Sequence, residues 1–225
     1  MMKIIIYIVV LLIIFYCITA YSTPPFPAIY VINLDGRPER LAEVQQEFKG
    51  WPSLERVAAV KRTPGWIGCS LSHLQCIRRA KERQEPWALI IEDDCILTPD
   101  AKSRFTALLP HLWAHRNEWD LFNGGLTVIS NYTIVDRSRG LFKANGYAAN
   151  FYLVHSGSYD KILDGYSEVS PAKIDVYYDR LFRIWVTAPY LAGQRVSASD
   201  IEETVTDYTD LFKSNEKILT DALLQ

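Results

Sequence analysis

Three consecutive carboxylates, Glu92-Asp93-Asp94, follow the short apolar run "WALII". Like charges repel one another and are costly to bury, so a positive partner is expected close by. The chain between Trp87 and Lys102 contains no Lys or Arg that could supply it. Carboxylate oxygens, completed by diphosphate oxygens, suit Mg²⁺ or Mn²⁺, and such an ion would stabilise a nucleotide diphosphate as leaving group. The alternative is a solvent-exposed turn that caps the helix expected after Thr98-Pro99.

Alternating strands and helices must position this triplet. Apolar runs predict strands at 28–34, 54–60, 87–91, 119–125, 147–154 and 185–190, and helical patterns occur at 37–48, 68–84, 98–109, 156–163 and 174–184. The alternation predicts an α/β fold with a mostly parallel sheet flanked by helices. Ligands of such sheets bind outside the carboxyl ends of the strands, where the triplet falls.

The N-terminus differs in composition from the rest of the chain. Ile4 to Ile18 are uninterrupted apolar residues, preceded by Lys3. Extended to Tyr21, a helix here would be about 27 Å long, close to the roughly 30 Å of a bilayer core. We therefore predict a signal anchor at residues 1–22, with the body on the non-cytoplasmic side of the membrane. A cleaved signal peptide, ending at Ala20-Tyr21-Ser22 and giving a secreted protein, is the alternative.

The remaining organisation follows from composition. Residues 23–27 read as a Pro-rich spacer, 28–202 as one globular domain, and 203–225 as a tail or peripheral helix. The net charge of −2 weighs against nucleic acid as a partner. The four cysteines do not form a disulfide framework, since Cys69 and Cys76 lie about 10 Å apart along one predicted helix. A bond from Cys95 to one of them stays open.

The segments "IYVINLDGRPERL", "IGCSLSHLQCI" and "ALIIEDDCIL", in this order, resemble glycosyltransferase family 25. This family includes bacterial lipopolysaccharide galactosyltransferases and collagen β-galactosyltransferases. The segments "NFYLVHSGSYDKIL" and "IDVYYDRLFRIWVTAPYLAGQ" extend the likeness to about Glu202. The resemblance implies a GT-A type fold, a UDP-sugar donor, Mn²⁺ and inversion at the anomeric carbon. One departure is the short connection from Val60 to Gly68, where family members usually carry an Asp-Gly and an insert.

The triplet can be divided by the faces of its strand. Neighbouring strand residues point to opposite faces, so Glu92 and Asp94 share a side if the strand continues through them. We assign Glu92 and Asp94 to the metal, and Asp93 to the ribose or donor sugar.

The resemblance places five further residues at the nucleotide: Asn33, Arg37, Arg40, Ser72 and His73. An Arg fork there could bind the diphosphate. The two arginines could equally form a solvated edge of a helix. His73 could be an inert core histidine. Zinc bound by Cys69, His73 and Cys76, with Cys95, is a further alternative, but the spacing matches no usual zinc pattern.

The sequence offers two candidates for the catalytic residue. An inverting transfer needs a general base, for which a carboxylate is the usual candidate. Asp175 and Asp179 lie one helical turn apart, and the family-like pattern favours Asp175. Gln194, Ser199 and Asp200 could close the site over the metal or acceptor, or simply cap loop ends.

The function that these observations favour is transfer of a hexose, galactose or glucose, from a UDP-sugar to a hydroxyl of a glycan or protein acceptor. An inactive sugar- or nucleotide-binding protein of the same fold is the alternative. A metal-dependent phosphohydrolase is disfavoured, because "EDDCILT" lacks the order of the aspartyl-phosphate signature.

Overall fold

The computed structural model describes residues 25–198 and 204–225. The predicted signal segment, the first two residues of the spacer, Ser199 and Asp200 lie outside these residues. Among the helices that are described, none is both long and apolar enough to cross a membrane.

The strands are β1 (Ala28–Asn33), β2 (Leu54–Ala58), β3 (Trp87–Glu92), β4 (Cys95–Leu97), β5 (Leu121–Asn123), β6 (Val128–Asp136), β7 (Leu141–Tyr147), β8 (Phe151–His155), β9 (Ile184–Thr187), β10 (Ala192–Gln194), β11 (Ser197–Ala198) and β12 (Val205–Thr206). The helices are α1 (Pro38–Glu47), α2 (Gly65–Glu82), α3 (Ala101–Ala114), α4 (Ser156–Gly165), α5 (Ile174–Leu181) and α6 (Thr209–Leu224).

Eight strands form one mixed sheet in the order β2-β1-β3-β8-β5-β9-β7-β6. The pairs β1–β2, β1–β3 and β5–β9 are parallel, whereas β8 and β7 run against their neighbours. Six of the eight strands therefore point the same way. The expected α/β fold with a mostly parallel, helix-flanked sheet is confirmed, with β7 and β8 as the reversed strands.

Both faces of the sheet are buried at strands β1, β3, β8 and β9, which explains their nearly continuous apolar sequences. On one face, Ile29 and Val31 of β1 pack in a cluster with residues of α1 and α3. On the other face, Tyr30 of β1 packs in a cluster with residues of α2, α4 and α5. The alternation along β1 thus sends successive side chains into two different cores.

The ends of the chain also join the cores. Phe26, assigned above to the spacer, makes edge contacts with the rings of Trp51 and Phe105, so the folded body includes it. Helix α6 buries Phe212 and Leu219 in a third cluster against β7 and β9. The predicted tail is therefore helical over most of its length and packs on the body.

Two short strands, not predicted from the sequence, shape the region after β3. Strand β4 pairs antiparallel with β10, and Cys95 lies opposite Gln194. This pairing brings Gln194 next to the end of the carboxylate triplet. The triplet thus sits between the carboxyl end of β3 and a separate two-stranded ribbon.

Candidate functional site

The carboxylate triplet spans a sharp change of direction. Strand β3 ends at Glu92, and Asp93 and Asp94 form a turn before β4 begins at Cys95. The condition for placing Glu92 and Asp94 on one strand face is therefore not met, because the chain turns away to pair β4 with β10. The structure instead separates Glu92 from the pair Asp93 and Asp94, which share one partner.

That partner is Arg40 of α1, the positive charge that the triplet requires. Its Nη2 lies 2.8 Å from Asp93 Oδ1 and 2.7 Å from Asp94 Oδ2. The three side chains are between 8% and 11% exposed, so this is a largely buried ion cluster. One nitrogen of the guanidinium thus bridges the two aspartates of the turn.

Asn33, the last residue of β1, fixes the position of Asp93. Its Nδ2 donates to Asp93 Oδ2 at 2.7 Å and to the carbonyl of Arg37 at 2.9 Å. Asn33 Oδ1 in turn accepts from Arg56 Nε at 2.9 Å. Arg56, on the neighbouring strand β2, was not anticipated from the sequence. It orients the amide of Asn33 so that the NH₂ group faces the acidic turn.

Asp94 has hydrogen-bond partners at only one of its two carboxylate oxygens. Its Oδ2 accepts from Arg40 and from Gln194 Nε2, the latter at 2.9 Å. Its Oδ1 is buried and has no hydrogen-bond partner among the described residues. Burial raises the pKa of Asp94 to about 7, and the charge of Glu92 adds to the rise. A buried carboxylate oxygen without a donor is suited to a cation or a proton.

Glu92 contacts a different set of residues. His73 Nε2 lies 3.0 Å from Glu92 Oε1, and His73 Nδ1 lies 3.1 Å from the hydroxyl of Tyr152. The Tyr152 hydroxyl is 3.0 Å from that of Tyr178 on α5. His73 is fully buried, as the core alternative expected, but it orients a carboxylate of the site.

Ser72 and Gly68 hold the short connection that precedes α2. Ser72 Oγ accepts from the backbone N–H of Val60 at 2.8 Å and donates to the Gly68 carbonyl at 2.7 Å. A Cβ on Gly68 would lie 2.2 Å from the Val60 carbonyl oxygen, so only glycine permits this approach. Ser72 thus binds the connection tightly against the helix, and also lines the cavity described next.

A cavity of about 370 Å³ opens at the carboxyl ends of β1, β2 and β3. Its wall includes Asn33, Arg40, Ser72, His73 and the whole triplet, together with residues 59–65 of the short connection. Lys61 and Arg62 in that connection place two exposed positive charges at the cavity. The structure therefore brings together seven of the eight residues predicted for nucleotide and metal.

A second cavity of about 270 Å³ adjoins the first. Cys69, Glu92 and Gln194 line both cavities, and Asp175 at the start of α5 lines the second. Burial raises the pKa of Asp175, and the Glu92 carboxylate raises it further, against the lowering effect of a hydrogen bond from the Val176 N–H. Asp175 thus lines the same cavity as Glu92, and raised carboxyl pKa values of this kind are frequent at functional sites.

Two predicted residues lie outside both cavities. Arg37 precedes α1, with Nη1 3.8 Å from Glu39 Oε1. Asp179 lies one turn beyond Asp175, where its backbone carbonyl accepts from Asn145. Neither lines a cavity wall. The helical spacing of Asp175 and Asp179 did not bring both carboxylates into one cleft.

The three described cysteines, Cys69, Cys76 and Cys95, are all free thiols. Cys76 packs in the cluster beneath α2, and Cys95 belongs to the core on the opposite face of the sheet. The zinc pattern with Cys76 and Cys95 is therefore not assembled. Cys69 and His73 instead meet Glu92.

Comparison with known proteins bears on this geometry. Residues 53–125 match the model of glycosyltransferase family 25 (LPS biosynthesis protein). The matched stretch, about a third of the chain, contains α2 and the acidic turn. The resemblance drawn from the sequence is confirmed over these residues, and it supports glycosyl transfer as the class of activity. No curated protein sequence matches the chain.

Two solved structures align with most of the chain at low similarity. A197 from STIV aligns with 10% identity and a TM-score of 0.45, covering 81% of this chain and 95% of that one. Mannose-1-phosphate geranyltransferase from Thermus thermophilus aligns with 11% identity and a TM-score of 0.40, covering 73% of this chain and 74% of that one.

Proposed function

We propose that this protein is a metal-dependent, inverting glycosyltransferase that moves a hexose from a UDP-sugar to a hydroxyl of a glycan or protein. The observation that carries the proposal is the adjacency of two cavities across Glu92. One contains the acidic turn and the other contains Asp175. A two-substrate transfer needs two such neighbouring sites with the reacting groups between them.

The first cavity suits the donor. Its volume of about 370 Å³ is within the usual range for small-molecule sites, roughly 300–1,000 Å³. Asn33 and Asp93 offer polar groups for a ribose or sugar, and Lys61 and Arg62 offer positive charge for phosphate. These two residues of the short connection are additions to the donor residues expected from the sequence.

The acidic turn suits a divalent cation. Asp94 Oδ1 is buried without a donor among the described residues, and three carboxylates of the triplet line the same cavity. Glu92 and Asp94 would hold Mn²⁺ or Mg²⁺, which supplies positive charge to the leaving diphosphate. Gln194, which donates to Asp94 Oδ2, would keep that carboxylate in place.

Asp175 would act as general base for the acceptor hydroxyl. It lines the second cavity, close enough to the triplet for Glu92 to raise its pKa. A raised pKa brings a carboxylate nearer to the operating pH and makes it a better base. The apolar residues 4–18 would anchor the protein in a membrane, with this site on the non-cytoplasmic side.

The experiment is a screen of UDP-sugars against the full-length chain in mild detergent, with and without Mn²⁺, measuring UDP release. Asp94→Ala tests the turn, and Asp100→Ala, an exposed carboxylate six positions further on, is the matched control. Mn²⁺-dependent release from one donor, lost in Asp94→Ala and kept in Asp100→Ala, is the expected result. Binding of a UDP-sugar without release in any condition would favour the inactive binding protein instead.

A further inference from the structure

Cys69, His73 and Glu92 form a cluster whose composition differs from that of the acidic turn. One ligand atom from each, a thiol sulfur, an imidazole nitrogen and a carboxylate oxygen, lie within 4.8 Å of one another. His73 is fully buried, and Cys69 and Glu92 are partly buried, so this is not a chance grouping of surface acids.

We propose that Cys69, His73 and Glu92 form a second metal site, selective for a thiolate-binding divalent ion such as Zn²⁺. Three protein ligands of the sulfur, nitrogen and oxygen types are a set that Zn²⁺ accepts, with the fourth position open. Mn²⁺ and Mg²⁺ prefer oxygen ligands and are not expected to bind here. The proposal stands on these side chains alone and does not depend on the proposed glycosyl transfer.

The distances allow the site to close with small movements. Zn–N of about 2.0 Å and Zn–S of about 2.3 Å place tetrahedral ligands roughly 3.3–3.6 Å apart. His73 Nε2 and Glu92 Oε1 are 3.0 Å apart, near that value. Cys69 and His73 are four residues apart on α2, so their side chains project from the same face. The Cys69 sulfur already lies within 4.8 Å of both atoms, so it needs to approach by no more than about 1.5 Å to reach this ligand spacing.

The surroundings of His73 support ligation through Nε2. Metal-bound imidazoles usually donate their other N–H to a fixed acceptor, which sets the tautomer. His73 Nδ1 lies 3.1 Å from the Tyr152 hydroxyl, which Tyr178 holds in turn. In the metal-bound form, an Nδ1 proton donated to Tyr152 would leave the Nε2 lone pair for the ion.

The site is also open to ligands. Cys69 and Glu92 line both cavities, so the fourth position of a bound ion would face the space where they meet. A bound ion would hold Glu92 where it already lies, beside His73, and would leave it unavailable to an ion at Asp94. A Zn²⁺-class ion at this site would therefore compete with Mn²⁺ for the Glu92 carboxylate.

The experiment is titration of the metal-free, full-length chain with Co²⁺, which reports thiolate ligation by a near-ultraviolet charge-transfer band. We expect one equivalent to produce the band, Zn²⁺ to displace it, and excess Mn²⁺ to leave it. Cys69→Ser should abolish the band, whereas Cys76→Ser, a buried thiol on the same helix, should keep it. Tyr152→Phe should weaken Co²⁺ binding by about 10-fold or more.

The wild-type titration decides the matter even if a variant folds poorly. Absence of a thiolate band in the wild-type chain would overturn the proposal, as would a band that survives in folded Cys69→Ser. Neither outcome depends on UDP-sugar turnover, so failure of this site and failure of the proposed transfer are distinguishable.

Discussion

Arg40 Nη2 lies 2.7 Å from Asp94 Oδ2, although the two residues are 54 positions apart in the chain. The charge that makes the acidic turn tolerable therefore comes from the first helix after β1. This contact, with its twin to Asp93, ties the start of the fold to the end of β3.

Replacing Arg40 by Met should be strongly destabilising, because two largely buried carboxylates lose their counter-charge. Breaking a buried ion pair from one side typically costs about 3–5 kcal/mol. The loss should shrink at low pH, where protonated carboxyls need no cation. The free energy of unfolding, determined in urea, measures this loss of stability.

The matched control is Arg79→Met. The ion pair of Arg79 with Glu55 is about one-third exposed, so its loss should cost at most about 1 kcal/mol. Equal losses in the two variants would contradict the buried role of Arg40.

Asp94 should make the metal-free protein less stable as pH rises. Its pKa is about 7 in the folded state and about 3.9 when unfolded, so the folded state binds more protons between these values. The free energy of unfolding should therefore fall from about pH 4 to about pH 7. In Asp94→Asn, the free energy of unfolding should change less between these pH values. In the wild type, added Mn²⁺ should reduce the fall in the free energy of unfolding as pH rises. Parallel pH curves for wild type and variant would show that Asp94 ionises normally.

Asp120 should contribute stability with the opposite pH dependence. Burial alone would raise its pKa, but hydrogen bonds from Arg183 and Lys161, each with a contact of 3.0 Å, hold the pKa well below its usual range. This stability is present above about pH 4 and is lost as pH falls toward the folded-state pKa. Asp120→Asn should have a lower free energy of unfolding than the wild type at neutral pH. Its free energy of unfolding should also fall less than that of the wild type on acidification. Asp160→Asn, which removes a surface partner of Lys81, is the control and should behave as wild type.

Replacing Asp175 and replacing Asp179 should have different effects on kcat. Asp175→Asn should lower kcat by about 10²–10⁴-fold with little change in donor KM, as expected for loss of a general base. Because burial raises the pKa of Asp175, the acidic limb of the pH–rate profile should lie above the ordinary aspartate range. Asp179→Asn, outside both cavities, should retain most of kcat. A larger loss in Asp179→Asn would reverse the assignment.

Apolar runs in the sequence predicted the strands whose burial shows in their own composition. The apolar runs of β1 and β3 are buried on both faces, so their composition alone marks them as strands. The hairpin of β6 and β7 was missed because β6 is largely exposed and shows no clear alternation. The reversed direction of β8 was also beyond reach, since strand direction depends on partners far away in the sequence.

The acidic residues of the site could be identified from the sequence, whereas most of the residues that contact them could not. The need for a positive charge near the triplet was visible, but the choice of Arg40 depends on how α1 packs. The turn that Asp93 and Asp94 form after Glu92 depends on the pairing of β4 with β10, a strand far along the chain. Cys69 and His73 were paired in the zinc alternative, whereas their third neighbour, Glu92, is a tertiary contact that the sequence does not show.

The wall that the two cavities share has a consequence for inhibitor design. A single compound with a diphosphate-like head in the first cavity and an acceptor-like tail in the second would pass directly over Glu92. Joining two weak fragments makes the second binding event intramolecular, with an effective concentration on the order of millimolar for a short linker. Selectivity would then come from the linker, because its length must match the passage between Cys69, Glu92 and Gln194.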